Sequence, residues 1–194
     1  GRDRGRLQPR GPWADTGLSA QALRALAPEA LLAPAPDFYG GELALNDGVT
    51  VDGEVEDAFL AGEQAPVPLI IGTNGAEYAP GQGEALAPVA RFRDALSSPE
   101  RAALAGPLAA DLIFHEPARR LARLHARAGH PAWLYRFDAL AAGLRGRTEG
   151  APHAAERHYL FDSFAAAPWT TDEQDARTAR LMGGYWAGFA ETGD

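Results

Sequence analysis

Pro66-Val67-Pro68-Leu69-Ile70-Ile71-Gly72-Thr73-Asn74-Gly75-Ala76-Glu77-Tyr78 is the stretch from which the fold is read. Val67, Leu69, Ile70 and Ile71 form a nearly unbroken apolar run, closed by Gly72 to Gly75. Aliphatic and β-branched residues bounded by Pro and Gly suit a short strand buried on both faces of a sheet, so the pattern predicts a strand over 67–71. Glu77 is the first acidic residue beyond that strand's carboxyl end, the place where functional side chains gather in open α/β sheets. A surface glutamate on a loop would satisfy the same pattern. The functional reading therefore needs a second residue.

His153 is the second residue, in Gly150-Ala151-Pro152-His153-Ala154-Ala155-Glu156. Gly and Pro before it predict a loop, and it too follows a strand, expected over the aromatic-rich run Ala132-Trp133-Leu134-Tyr135-Arg136-Phe137. An imidazole beside a carboxylate is held in one tautomer, and its cation is stabilised as it takes a proton. The other elements fall around these two strands. Ser19 is expected to cap a short helix through Leu23–Leu26, and Pro28-Glu29 to open another over Leu31 and Leu32. Val49 and Val51 form a small strand-like pair among turns, and 79–90 reads as a Pro-, Gly- and Ala-rich loop. Ser98 is expected to cap a helix with Pro99 at its first position. A longer helix is expected from about Pro107 to Ala128, kinked or divided at Pro117 and ended by Gly129. Thr171 is expected to cap the last helix, with Met182, Tyr185, Trp186 and Phe189 on one apolar face. His125 and His130 are expected at a solvated helix end. Strand, acid, helices, strand, histidine, helix is an α/β layered order, and two strands alone do not make a stable sheet.

Length and composition bound the function. The 194 residues are 46% apolar and 23% charged, which is globular. Net charge is −8 and all 18 basic residues are Arg, scattered along the chain, which disfavours nucleic acid and anionic membrane surfaces as partners. Without Cys there are no disulfides, cysteine nucleophiles or thiolate metal sites. No apolar run approaches the roughly 20 residues that cross a bilayer. The chain opens Gly1-Arg2, shows no signal-peptide pattern and stops directly after a helical pattern, so both ends are expected to be cut. The compartment is not fixed by the sequence; a bacterial-type composition and the lack of a visible signal peptide slightly favour the cytoplasm. Residues 1–17, with four Arg and four Gly, are expected to be a flexible or unrelated lead-in to a fold over 18–194.

Several ordered motifs resemble one family. Val51-Asp52-Gly53, Pro66 to Asn74, Trp133-Leu134-Tyr135-Arg136-Phe137, Gly150-Ala151-Pro152-His153 with Glu156, Tyr159-Leu160-Phe161, and Met182-Gly183-Gly184-Tyr185-Trp186-Ala187-Gly188-Phe189-Ala190 with Thr192-Gly193-Asp194 follow one another. In that order they resemble the C-terminal part of a type B carboxylesterase, the cholinesterase-like branch of the α/β-hydrolases. The resemblance implies the C-terminal portion of an α/β-hydrolase fold, an incomplete mixed sheet with flanking helices. It implies hydrolysis of a small-molecule carboxylic ester by a Ser-Glu-His triad through an acyl-enzyme, with no metal or cofactor. Glu77 matches the acid of that triad and His153 its base; Glu156 is expected to support the loop rather than take part in chemistry.

Three positions depart from the family pattern. Ala76 stands where Asp is usual, Tyr78 where Gly usually follows the acid, and Ala154 where Gly often follows the His. The nucleophile elbow G-x-S-x-G and the Gly-rich oxyanion loop do not occur; Gly17-Leu18-Ser19-Ala20-Gln21 lacks the second Gly. In this fold the order is Ser, acid, His, so the missing parts belong upstream, and the chain is expected to need an N-terminal half to act. A non-catalytic cholinesterase-like module for protein contact is the alternative. His153, Glu156 and His158 fall short of a zinc pattern because Arg157 stands where a His is required. His115-Glu116 and Gly81-Gln82-Gly83 likewise lack the residues of a zinc helix and a dinucleotide loop.

Overall fold

A computed structural model describes residues 17–33, 53–78 and 104–194. The chain divides into two compact units, Gly1–Glu54 and Val55–Asp194. In the first, α1 (Ala20–Arg24) is capped by Ser19, whose hydroxyl accepts the Ala22 N–H at 3.1 Å, and α2 (Pro28–Leu32) begins at its proline, as the sequence predicts. The lead-in up to residue 16, the Val49–Val51 pair, the 79–90 loop and the Ser98 cap lie outside the described residues.

The second unit carries the sheet. Its described elements run α3 (Val55–Ala61), β1 (Leu69–Asn74), α4 (Ala105–Ala110), a π-helical turn (Asp111–His115), α5 (Glu116–Arg127), β2 (Ala132–Phe137), α6 (Glu156–Leu160) and α7 (Glu173–Thr192), with 3₁₀ turns at Ala142–Leu144 and Phe164–Ala166. β1 and β2 pair in parallel, Leu69 opposite Ala132 through Asn74 opposite Phe137. The strand starts later than the apolar run because Pro66 and Pro68 have no N–H to donate; pairing opens with the Leu69 N–H on the Pro131 carbonyl. It also runs through Gly72 rather than stopping there. Gly72 lies opposite Tyr135, and a Cβ at residue 72 would sit 2.3 Å from the Tyr135 ring, so glycine lets the phenol lie flat across β1.

Register divides the two faces, since paired residues of parallel strands point the same way. Gly72, Asn74, Trp133, Tyr135 and Phe137 face α6 and α7, where Trp133 meets Phe189 at 5.6 Å and Tyr135 meets Trp186 at 4.9 Å, ring centre to ring centre. Phe137 joins Ala151, Ala155, Tyr159, Ala179 and Met182 in the main core cluster. The opposite face carries Thr73, whose hydroxyl lies 2.7 Å from His115 Nδ1, and packs against α5. Helices thus cover both faces of a parallel pair, the layering that a two-sided apolar strand requires.

The helix expected from Pro107 to Ala128 is helical from Ala105 to Arg127 and is not broken at Pro117. A proline there cannot donate to residue 113 and its ring crowds that carbonyl. The π turn just before it relieves the conflict, with the Glu116 N–H reaching back to the Asp111 carbonyl. Three expectations are corrected. His125 is not at a solvated end: it is 2% exposed, with Nε2 2.7 Å from the Val67 carbonyl and its ring against Phe59 of α3. Asp172, not Thr171, caps α7, because its side chain accepts the Gln174 and Asp175 N–H groups in a capping box. Tyr185 stands largely in solvent rather than in the apolar face of α7.

Candidate active site

Two loops meet beyond the carboxyl ends of β1 and β2. The Gly75 N–H donates to the Phe137 carbonyl at 2.8 Å and the Ala76 N–H to the Ala151 carbonyl at 2.9 Å, extending the pairing past the strands. Such close passage needs small residues. A Cβ at Gly150 would lie 2.9 Å from the Gly75 carbonyl carbon and 2.9 Å from Asp138 Oδ1. Asp138 uses that oxygen to accept the Ala151 N–H at 3.2 Å, tying the second loop to the end of β2.

Glu77 and His153 meet where these loops touch. The His153 Nδ1 and Glu77 Oε2 atoms are 2.5 Å apart. Glu77 Oε1 accepts the Asn74 backbone N–H at 2.6 Å, so each carboxylate oxygen holds one donor. An ionised carboxylate only accepts, which places a proton on Nδ1 and leaves Nε2 for other chemistry. Among the described residues Nε2 has no hydrogen-bond partner. Burial differs sharply: the Glu77 side chain is 5% exposed and that of His153 61%. A dry acid and an open base form an arrangement that can orient an imidazole and take a proton from outside.

Phe114, from the π turn, meets the His153 ring at a tilt, ring centres 5.1 Å apart, and Tyr78 meets Phe114 likewise at 5.8 Å. Tyr78 is thereby accommodated where a glycine is usual: its ring leans away from the loop onto α4 and the π turn. Burial raises the Tyr135 phenol above its ordinary value, and the nearby carboxylates of Glu156 and Glu77 push the same way. Ala154 closes the turn after His153, the Ala155 N–H donating to the Pro152 carbonyl at 3.0 Å, and adopts φ 60°. That is the left-handed region, in which a Cβ costs about 1–2 kcal/mol. Part of that is offset because glycine loses more freedom on folding, so Ala154→Gly should stabilise the chain by about 0.5–1 kcal/mol. Urea unfolding of the two forms measures it.

Beneath the histidine loop lies a polar network that sequence reasoning missed. Asp175, 1% exposed, accepts from the Ala142 and Asp172 N–H groups, the Tyr159 hydroxyl and the Arg145 guanidinium. Arg145 also pairs with Asp172 and holds its carboxyl well below the usual range. Burial, then the bond to Asp175, pushes the Tyr159 hydroxyl well above its ordinary value. The Asp-x-x-Asp spacing at a helix start was the available signal. A Ser–His approach elsewhere, Ser163 Oγ to His158 Nδ1 at 3.3 Å, is a poor dyad. His158 is buried edge-on against Trp169, and no carboxylate bonds its ring among the described residues. The described residues hold no cluster of His, Asp and Glu suited to a metal ion.

Residues 90–194 match the Carboxylesterase family, more than half of the chain. The chain belongs to the carboxylesterase family. Carboxylesterase 4A of Bos taurus is 36% identical over 89 residues, 45% of this chain and 16% of that protein. The medium-chain fatty acyl-CoA hydrolase precursor of Anas platyrhynchos is 34% identical over 88 residues, 44% and 16% respectively. Among solved structures a PNB esterase superposes with a TM-score of 0.71 at 22% identity, covering 94% of this chain and 44% of the other. A further structure of PNB esterase gives 0.67 at 23% identity, covering 92% and 43%. The fold is that of an α/β-hydrolase, and the chain spans less than half of these structural relatives and about a sixth of the curated ones.

Proposed function

We propose that this chain is the C-terminal part of a carboxylic ester hydrolase in which His153 is the general base and Glu77 its orienting acid. The observation that carries the reading is the 2.5 Å contact of His153 Nδ1 with a buried carboxylate while the ring's other edge stays open. An N-terminal half supplies the serine and the oxyanion donors, neither of which this sequence contains in recognisable form. Nε2 takes the serine hydroxyl proton as its oxygen attacks the ester carbonyl, and returns it to the leaving alcohol. Glu77 stabilises the imidazolium between these steps. Water, deprotonated by the same Nε2, then attacks the acyl-enzyme, releasing the acid and the serine. A protein-contact module would need neither member of the pair, which favours the catalytic reading over that alternative.

The test is complementation, in which the chain is fused or co-expressed with an N-terminal hydrolase half bearing G-x-S-x-G and assayed on an activated ester. Turnover is expected. Glu77→Gln should cost about 10⁴-fold in kcat, the size seen when the acid of a serine protease triad is made neutral. Undiminished turnover in Glu77→Gln would remove the acid from the mechanism.

A further inference from the structure

Asn74 is the last residue of β1, is 2% exposed, and touches both loops of the site. Its backbone N–H donates to Glu77 Oε1 at 2.6 Å. Its side-chain amide donates to the Pro152 carbonyl at 2.7 Å, the residue just before His153, and to Glu156 Oε2 at the start of α6. Both acceptors lie on the histidine loop or the helix that follows it, so both protons of one amide are spent across the gap between the loops. Only a primary amide fits there. A hydroxyl has one proton to give, and a carboxylate would set negative charge against Glu156 and a carbonyl. Asn74 faces α6 because its strand partner Phe137 does, so its direction is set by the register of the sheet.

We propose that Asn74 is the positioning residue of the pair, joining the acid loop to the histidine loop so that Glu77 Oε2 and His153 Nδ1 arrive within hydrogen-bonding range. The inference builds on the proposed function for its meaning, but not for its test. Glu156 is the counterpart that receives the amide. The loop contacts Gly75–Phe137 and Ala76–Ala151 hold the backbones together, and Asn74 sets how Pro152, and with it His153, is presented. Which ring nitrogen carries the proton then becomes a readout of the staple, since a solvated histidine favours Nε2–H and the carboxylate holds Nδ1–H.

The experiment is ¹⁵N NMR of the histidine rings in the 194-residue chain, at a pH where the imidazole is neutral. Wild type should show His153 predominantly as Nδ1–H. Asn74→Asp, with its unfolding transition retained, should shift it to a mixture in which Nε2–H prevails. Asn74→Asp/Glu156→Gln, in which amide and carboxylate trade places, should regain part of the Nδ1–H form. Should Asn74→Asp lose its transition, Glu156→Ala supplies the readout, removing one acceptor at a half-buried position; it should lower the Nδ1–H share. A wild type in the Nε2–H form, or a folded Asn74→Asp or Glu156→Ala still fully Nδ1–H, would overturn the inference. A staple that behaves as stated in a chain that supports no ester hydrolysis when complemented would remove the proposed function and leave the staple standing.

Discussion

His153→Ala should abolish nearly all esterase activity in the complemented enzyme, by about 10⁶-fold in kcat, the loss that follows removal of a triad base in subtilisin. The size follows from the site. In the proposed mechanism, with Nδ1 on Glu77 and Nε2 open, the one imidazole serves as base for the attacking hydroxyl, acid for the leaving alcohol and base again for water. The ring is exposed, so its removal leaves no cavity in the core, but the buried Glu77 Oε2 loses its donor and the unfolding midpoint should fall as well. A complemented enzyme that keeps its rate after this substitution would refute the assignment.

Asp175→Ala should have the largest effect on stability. The carboxylate is 1% exposed and receives two backbone N–H groups, a phenol and a guanidinium. Arg145 keeps Asp172, but the Tyr159 hydroxyl and the Ala142 and Asp172 N–H groups lose their acceptor, so the cost is about 3 kcal/mol or more. The same network sets the limits in pH. Asp172 is depressed, chiefly by its bond to Arg145. Its contribution is therefore present above the ordinary aspartate value of 3.8 and is lost as pH falls through the lowered one. Tyr159 is raised, chiefly by burial. Its contribution is present below the ordinary value of 10.0 and is lost as pH climbs towards the raised one. Urea unfolding across pH should show both limbs in the wild type. Removing Asp175 takes away its hydrogen bond to the phenol and its charge, leaving burial and Asp172, so the loss above the ordinary tyrosine value should be smaller and should level off at lower pH in folded Asp175→Ala.

Much of this was legible because it is local. The β2 run Ala132–Phe137, the Ser19 cap, Pro28 at a helix start and the aromatic face of α7 rest on patterns within a few residues. Glu77 and His153 could be singled out because each follows a strand, and parallel strands deliver the loops after them to one edge. What was hidden depends on contacts distant in sequence. His125 looks like a polar residue near a helix end; its burial comes from Val67 and Phe59, more than fifty residues earlier. Asn74 reads as a turn residue at the end of an apolar run. Its role depends on Pro152 and Glu156, with |i−j| of 78 and 82. Pro117 alone predicts a kink, and only the π turn ahead of it shows how the helix absorbs the ring. Thr171 lost the cap to Asp172 because the aspartate reaches two N–H groups and pairs with Asp175 in return.

If this chain holds the acid and base of a triad whose serine lies in another segment, as we propose, covalent labelling will find the nucleophile outside it. The purified 194-residue chain, alone and complemented, is treated with a serine-directed phosphonate and assayed on an activated ester. Catalysis lacking a nucleophile and oxyanion donors forfeits roughly 3 kcal/mol for a single donor alone, so the isolated chain should neither turn over ester nor take up label. The complemented enzyme should do both, with the label on the serine of the supplied half. Stoichiometric labelling of Ser19, Ser97, Ser98 or Ser163 with turnover by the chain alone would contradict the account.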